Sequence, residues 1–279
     1  MSAPATVPPV RSDAAASAPA GAPRRTVAAS VLHTRMLIWR SLLTQLRDPQ
    51  TAVFMFIQPI MFVLMFRYVF GGAIDTPGTR YVDYLMPGIF VQTVAFAGIT
   101  TAVGLATDLK TGIVDRLRSL PMAPWVVLAG RTMADTLRAV AVLLVMGLVG
   151  LAVGWRPDGG ALNVLAAAGL LLLFGHAMLW MYAVIGLRAS SGEAAQAASF
   201  PLIFPLVFAS SIFVPIQSMP SWLQPFAEHQ PVSVTASAVR ALTSGTPVGN
   251  DVWQSVLWSL VLIGVLLPVA ARAYRRASS

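Results

Sequence analysis

The feature that most constrains this chain is a series of long apolar runs that carry few charged residues. A bilayer has a hydrocarbon core about 30 Å thick, so a helix crosses it with about 20 apolar residues. The runs of about that length cover residues 51–70, 85–106, 137–155, 162–187, 197–215 and 252–271. The third run could begin at Val126, and Pro201 and Pro205 interrupt the fifth. The sequence therefore predicts an all-α integral membrane protein with six transmembrane helices.

The composition excludes an ordinary soluble domain. Hydrophobic residues make up 56% of the chain and charged residues 11%, and the mean hydropathy is +0.72. A soluble domain has about one charged residue in four, so this chain lacks the polar residues to cover a surface in water. It also lacks cysteine, which excludes disulfides and thiolate metal sites. No metal-ligand cluster and no nucleophile beside a base stands out, so we predict neither a metal site nor catalytic residues.

The basic residues predict the orientation of the six helices. If the N-terminus is cytoplasmic, only four of the 19 Lys and Arg residues fall on the outer side: Arg67, Arg80, Arg156 and Arg240. Cytoplasmic loops are enriched in Lys and Arg, so both termini are predicted to lie in the cytoplasm. The net charge of +8 then reflects membrane topology, and no nucleic-acid partner is expected.

The segment before the first span divides into two parts. Residues 1–27 are rich in Ala, Pro and Ser and predict a disordered cytoplasmic tail. Residues 28–48 predict an amphipathic helix on the inner leaflet, since apolar residues recur there every three or four positions. These are Leu32, Met36, Trp39, Leu43 and Leu46. The helix either anchors the chain to membrane lipid alone or also contacts a cytoplasmic partner. The permease domain is then 49–272, followed by a basic tail, 273–279.

Residues 104–111 approach the pattern of a phosphate-binding loop without completing it. Gly104, Lys110 and Thr111 fall in register with GxxxxGK[ST], but Leu109 replaces the second glycine. Its side chain would block the close approach of backbone N–H groups to phosphate. Lys110 is also the only lysine in the chain. We therefore expect no ATP hydrolysis and no cofactor in this chain.

The charged stretch that follows the second run predicts a short cytoplasmic helix. Ile113, Leu117 and Leu120 share one helical face, and Pro121 ends the helix. The spacing alone fits either a solvated loop or a lever through which a soluble partner moves the adjoining spans.

Several polar residues lie at or near membrane depth, where ionisable groups are functional candidates. Arg131, Asp135 and Arg138 recur at about one-turn spacing and predict ion pairing along one helix. His176 lies near the middle of the fourth run, where it either hydrogen-bonds a neighbouring helix or relays protons. In the stretch 214–251, short helices are predicted to dip into the outer leaflet. Its candidate gate residues, which fit an interfacial cap equally well, are Pro215, Trp222 and Phe226.

Two sequence blocks resemble a known family. The first is Asp108-Leu-Lys-Thr-Gly-Ile-Val-Asp-Arg-Leu-Arg-Ser-Leu-Pro121, followed by Gly130-Arg131 and Asp135; the second is Ser211-Ile-Phe-Val-Pro215 with Met219-Pro-Ser-Trp-Leu-Gln-Pro225. Together with six spans and a preceding amphipathic helix, they are similar to ABC type-2 transport permeases, especially the daunorubicin-resistance type of bacterial exporters. Gln230 departs from the asparagine that members often carry before the proline.

The resemblance implies how such a chain works. Two permease copies, here a homodimer, form the substrate path in the inner (plasma) membrane of a bacterium, and separate ATP-binding subunits hold ATP and Mg. A coupling helix and a second, shorter coupling element would dock on the ATPase. The matching positions are Asp108, Gly112, Ile113, Asp115, Arg116, Leu117 and Pro121, and then Glu193 and Gln196.

The expected cargo is a hydrophobic drug, a secondary metabolite or a lipid-like compound, while the substrate-binding residues stay unassigned. The main alternative is a proton-driven secondary transporter that acts without an ATPase and uses Asp135 and His176 as relays. Such transporters commonly carry internal repeats, and none is evident here. A scaffold that transports nothing is the third possibility.

Overall fold

The computed structural model describes residues 49–74, 76, 78–111 and 124–276, and every regular element in this part of the chain is helical. The α-helices are α1 (Pro49–Leu64), α2 (Tyr81–Ala97), α3 (Ile99–Lys110), α4 (Pro124–Ala152), α5 (Gly160–Arg188), α6 (Gly192–Phe208), α7 (Gln224–His229), α8 (Pro231–Ser244) and α9 (Asp251–Arg276). A π-helical turn, Met65–Phe70, continues α1, and a short 3₁₀ turn covers Ile216–Ser218. The predicted N-terminal tail and amphipathic helix, and residues 112–123 of the predicted coupling helix, lie outside the described residues.

Four of the described helices are long and apolar enough to cross a membrane. They are Tyr81–Lys110, which joins α2 to α3, then Gly130–Ala152, Gly160–Arg188 and Asp251–Arg276. The predicted first and fifth spans correspond to shorter apolar helices, Phe56–Phe70 and Gly192–Phe208. The structure therefore supports an all-helical membrane fold, while six spans remain a prediction.

The fifth predicted span was placed wrongly at both ends. The apolar run predicts it over 197–215, whereas α6 starts at Gly192 and stops at Phe208. Its start is fixed by the Ser191 side chain, which accepts a hydrogen bond from the Ala194 N–H at 3.1 Å. At its end, the Ser210 hydroxyl bonds to the Val207 carbonyl and accepts from the Ile212 N–H. These local side-chain bonds compete with the next helical turn, and the chain leaves the helix there.

Close helix packing places α5 at the centre of the bundle, in contact with α2, α3, α4, α6, α8 and α9. A Cβ atom at Gly186 would overlap the backbone of Ala102 on α3, so this glycine lets the two helices meet. Gly98, between α2 and α3, leaves room in the same way for the ring of Tyr182 on α5. The Tyr182 hydroxyl donates to the Ala95 carbonyl at 2.8 Å and so ties α5 to the α2–α3 joint.

The segment 209–251 covers the Tyr81 end of the bundle, opposite to the end that carries Asp108. Here α8 packs on α2, α5 and α9. It begins at Pro231, whose fixed φ suits the first helical turn, and it ends before Gly245, whose φ of 68° is left-handed. Short helices are present in this stretch as predicted, namely α7 and α8, while their position in the outer leaflet stays a prediction.

Candidate functional site

An ion pair joins α3 to α4 at the Asp108 end of the bundle. The Arg131 guanidinium donates to the Asp108 carboxylate, and both side chains are partly exposed. A side chain at Gly104 would overlap that guanidinium, so this glycine provides the space for Arg131. Gly104 and Lys110 both lie within α3, in a continuous helix. The sequence predicts that Arg131 pairs along its own helix. In the structure it pairs instead with Asp108 on α3.

A second charged group lies deeper in the bundle. The side chains of Asp135 and Arg138 are 1% and 9% exposed, and Arg138 Nη2 lies 3.5 Å from Asp135 Oδ1. The Thr101 hydroxyl donates to the same carboxylate, and Arg138 donates to Thr100 Oγ1 at 2.7 Å and to the Ala97 carbonyl at 3.1 Å. Charges at this depth are tolerated when they are paired and hydrogen-bonded. The joint between α2 and α3 supplies the carbonyl and both hydroxyls.

The Arg138 side chain also forms part of the wall of a cavity of about 540 Å³ between α1, α2, α3, α4 and α6. Three carboxamides line this cavity, each from a different helix: Gln58 from α1, Gln92 from α2 and Gln196 from α6. Gln92 is only 3% exposed, and its side-chain oxygen has no hydrogen-bond partner among the described residues. A buried acceptor without a partner costs about 1–3 kcal/mol, so the oxygen of Gln92 is a local cost to the stability of the bundle.

His176 on α5 is held by hydrogen bonds on both ring nitrogens. Nε2 lies 3.2 Å from the Trp180 indole N–H, which can only donate, so Nε2 must accept. Nδ1 then carries the proton of the neutral ring and donates to Thr136 Oγ1, 2.9 Å away. The Thr136 hydroxyl in turn donates to the Thr132 carbonyl at 2.8 Å. Protonation of Nε2 would break the bond to Trp180, so this geometry favours a fixed structural histidine over a proton relay.

The predicted second coupling element begins next to the end of α3. Gly192 packs against Val103 and Thr107, which brings the start of α6 to the same end of the bundle as Asp108. Glu193 and Gln196 are both exposed, and Gln196 also lines the cavity. The other coupling candidates (Gly112, Ile113, Asp115, Arg116, Leu117 and Pro121) lie outside the described residues.

At the Tyr81 end, an arginine holds the 210–213 turn against α2. Arg240 donates to the carbonyls of Tyr84 at 2.8 Å and Ile212 at 3.1 Å, and also to Ser211. Its guanidinium carbon lies 3.8 Å from the centre of the Tyr84 ring, and the Tyr84 hydroxyl donates to the Ser211 carbonyl at 2.7 Å. Burial lowers the pKa of Arg240 below its ordinary value. Arg240 and Tyr84 thus form a clamp on the 210–213 turn. The proposed gate residues lie away from this clamp, on the surface, and Trp222 is 78% exposed.

Pro215 and Phe226 complete the predicted gate set. Pro215 directly precedes the 3₁₀ turn Ile216–Ser218, and Phe226 is an exposed residue of α7. Among the described residues, no contact gathers these two side chains with Trp222 into one closed constriction. Gating by these residues stays a prediction.

A comparison with known protein families identifies the family of this chain. The family model of the ABC-2 type transporter matches residues 33–243. The chain belongs to the ABC-2 type transporter family. It is 36% identical over 253 residues to the daunorubicin resistance ABC transporter permease protein DrrB1 of Streptomyces coeruleorubidus. The aligned residues make up 91% of this chain and 89% of that permease. The resemblance recognised in the sequence is confirmed, and with it a multi-pass membrane protein.

More distant relatives have similar lengths. The probable doxorubicin resistance ABC transporter permease protein DrrC of Mycobacterium tuberculosis is 27% identical over 259 residues, or 92% of each chain. The putative transport permease ycf38 of Porphyra purpurea is 26% identical over 216 residues, which cover 75% of this chain and 73% of the relative.

The sequence pattern does not reveal the three cavity carboxamides as a group. A signal for two of them was present, since Gln58 and Gln92 are polar residues inside the apolar runs 51–70 and 85–106. A single glutamine in a membrane helix does not reveal whether it faces lipid, a neighbouring helix or a cavity. The family resemblance implies a coupling role for Gln196, and the structure places this residue in the wall of the cavity. Only the packing of α1, α2 and α6 brings the three together.

Proposed function

We propose that this chain is the membrane-spanning permease subunit of an ATP-binding cassette exporter that moves a hydrophobic drug or secondary metabolite out of a bacterial cell. The observation that carries the proposal is the 36% identity to a daunorubicin resistance permease across 91% of the chain. A second relative over nearly the full length has a name that refers to doxorubicin resistance. The cavity beside a buried ion pair supplies a polar place within an apolar bundle where a cargo can bind.

In this proposal the energy comes from a separate ATPase. Permeases of this family work with an ATP-binding subunit. Residues 104–110 lie within α3 in this chain, whereas a phosphate-binding loop needs its glycines between a strand and a helix. The ATPase, with its ATP and Mg, docks on the Asp108 end of the bundle, where Glu193 also lies. Six helices cross the inner membrane with both termini inside, and two copies of the permease pair.

The Asp108–Arg131 pair and the α3–α6 contact link the three helices at the end where the ATPase docks, so that a movement of the ATPase can move these helices. A force on the segment 112–123 acts on α3 and α4 together, because the pair between Asp108 and Arg131 joins these two helices. The start of α6 rests on α3 through Gly192 and moves with them. A partner shifts the equilibrium between two transporter states only by contacts that differ between the states. The residues of this end therefore act through contacts, without covalent chemistry.

The bonds of His176 count against the proton-driven alternative. Both of its ring nitrogens are engaged, and Asp135 is engaged by Thr101 and Arg138. The deciding experiment co-expresses the chain with a candidate ATPase from a neighbouring reading frame and measures daunorubicin accumulation in inverted membrane vesicles. Uptake that requires ATP and stops with vanadate supports the exporter. Uptake that continues without ATP and stops with a protonophore would establish the alternative.

A further inference from the structure

We propose that the groove between α4 and α5, at the Tyr81 end of the bundle, binds one phospholipid, with an acyl chain in the groove and the phosphate at Arg156. The groove has a volume of about 350 Å³ and shares no lining residue with the cavity beside Arg138. The inference goes beyond the proposed export, because it concerns a membrane lipid and not the cargo. Three features of the groove support a lipid: its chemistry, its length and the charge at its end.

The groove is lined almost entirely by hydrocarbon. Most of its side chains come from α4 and α5, and the buried residues Phe90, Trp155 and Val239 form its floor. The hydroxyl of Thr243, also in the lining, already donates to the Val239 carbonyl at 2.8 Å. A guest with hydroxyl or amine groups would lose their hydrogen bonds to water in such a lining, whereas an acyl chain has no polar group to satisfy.

A glycine on α4 keeps the groove open. Gly147 belongs to the lining, and a Cβ atom at this position would meet no atom within 4 Å. Leu144 and Leu148 of the same lining are 66% and 67% exposed, so the groove opens to the outside of the bundle. Around a membrane-spanning bundle that outside is lipid. The molecules in contact with this opening are therefore acyl chains.

The length of the groove matches one leaflet of a bilayer. On α4 the lining extends from Val140 to Leu151, about 17 Å at 1.5 Å per residue, and half of a hydrocarbon core is about 15 Å. Val140 lies beside the midpoint of the apolar helix Gly130–Ala152, and Leu151 lies beside its end. The groove thus follows the half of this helix that lies in one leaflet, the outer one in the proposed orientation.

A cation lies where the groove reaches the membrane boundary. Arg156 is exposed and directly follows Trp155 of the lining, and its Nη1 donates to the Leu151 carbonyl at 2.8 Å. This bond holds the guanidinium beside the groove. The Asp83 carboxylate accepts from the backbone N–H of Arg156 and pairs with the side chain of Arg80. Among the described residues, no carboxylate forms an ion pair with the Arg156 guanidinium, so a lipid phosphate can supply its counter-ion.

The phosphate contact distinguishes a bound phospholipid from other lipids. Lipid tails are as apolar as the side chains of a membrane helix, so a tail gains only packing when it leaves the bilayer for the groove. An Arg near the headgroups, in contrast, attracts anionic lipid. We therefore expect the groove to prefer a lipid with a phosphate over one with the same tails and no charge.

The test compares two photoactivatable lipids, phosphatidylglycerol and diacylglycerol, that carry the same diazirine acyl chain. The full-length chain in dodecyl maltoside micelles, without ATPase or nucleotide, is irradiated with each lipid, and labelled peptides are quantified by mass spectrometry. We expect phosphatidylglycerol to label the groove, residues 140–151 and 164–172, about fivefold more than diacylglycerol, the ratio for one Arg near an anionic headgroup. The exposed face of α9, with Trp253 and Val261, should be labelled equally by both. Equal labelling of the groove by the two lipids would overturn the proposal.

Two pairs of variants locate the lipid. Arg156→Gln should reduce the labelling of the groove by phosphatidylglycerol to the level of diacylglycerol. Its control is Arg67→Gln, at the same end of the bundle, since the Arg67 guanidinium lies over the Tyr68 ring on the turn after α1. Gly147→Leu fills the groove and should reduce its labelling by both lipids to the level of the α9 face. Gly169→Leu, in open space on α5 and outside the lining, should change neither.

The outcomes separate this inference from the proposed function. Labelling of the groove that survives Gly147→Leu, or a preference for phosphatidylglycerol that survives Arg156→Gln, would overturn the lipid site even if the chain exports drug with an ATPase. The expected labelling in a chain that no ATPase activates would support the lipid site and count against the exporter.

A second copy of the chain is the other candidate to cover this face. Since the chain has no cysteine of its own, Leu148→Cys reports on such a contact. An unlabelled groove, together with a disulfide between two copies of Leu148→Cys, would overturn the lipid site in favour of a permease contact. If Gly147→Leu aggregates in size-exclusion chromatography, the comparison of Arg156→Gln with Arg67→Gln decides.

Discussion

Replacing Arg240 with methionine tests the clamp that holds the 210–213 turn on α2. Methionine keeps an unbranched chain of similar length but removes the charge and every donor. The carbonyl of Ile212 loses the arginine that donates to it at 3.1 Å, and the Tyr84 ring loses a cation 3.8 Å from its centre. The Ser211 carbonyl keeps the Tyr84 hydroxyl as a donor at 2.7 Å.

The expected loss of stability follows from these contacts. A buried carbonyl without a donor costs about 1–3 kcal/mol. A partly desolvated cation–π contact contributes about 1–2 kcal/mol. Relief of the desolvation of the guanidinium offsets part of this sum, because burial already disfavours the charge. We therefore expect Arg240→Met to lower the free energy of unfolding by about 2–4 kcal/mol. Tyr84→Phe, which removes only the hydroxyl bond, should cost about 1 kcal/mol.

Reversible unfolding in mixed micelles, with increasing mole fraction of sodium dodecyl sulfate, measures these free energies through tryptophan fluorescence. The matched control is Arg80→Met, since Arg80 forms an exposed pair with Asp83 and should contribute under about 1 kcal/mol. If Arg240→Met unfolds at the same detergent fraction as Arg80→Met, the clamp does not stabilise the fold and the reasoning is refuted.

Two further predictions concern α5. Gly186→Leu should lower the unfolding free energy by at least about 1–3 kcal/mol, because its side chain would overlap the Ala102 backbone. Gly169→Leu, in open space on the same helix, should change the unfolding free energy little. Equal effects of the two variants in the same micelle assay would contradict the close packing of α3 and α5. His176→Gln should leave ATP-driven uptake within about twofold of the wild type, since an amide keeps an acceptor for Trp180 but relays no proton; loss of uptake with folding intact would restore the relay hypothesis.

Much of the helical framework could be predicted from hydropathy. The fourth and sixth apolar runs, 162–187 and 252–271, correspond to α5, Gly160–Arg188, and to α9, Asp251–Arg276. Such runs are governed by a single requirement, enough apolar length to cross the hydrocarbon. The end of α6 at Phe208 was missed because Ser210 ends it through hydrogen bonds, which hydropathy does not register.

The candidate site was predictable only in part. The i,i+3 spacing of Asp135 and Arg138 predicts that their side chains lie close together, and Arg138 Nη2 is 3.5 Å from Asp135 Oδ1. The partners on other helices could not be predicted in this way: Thr101 for the aspartate, and Asp108 for Arg131. These contacts depend on how α3 packs on α4, which one sequence does not specify. The cavity carboxamides depend in the same way on the packing of α1, α2 and α6.

The central claim is that this chain moves cargo only when a separate ATPase drives it. The most direct measurement reconstitutes the purified chain in proteoliposomes, with and without the co-purified ATP-binding subunit, and follows phosphate release and cargo uptake in MgATP. We predict neither activity for the chain alone, and vanadate-sensitive hydrolysis with uptake for the complex. ATP hydrolysis by the chain alone, or uptake by the chain alone under a pH gradient, would contradict the account.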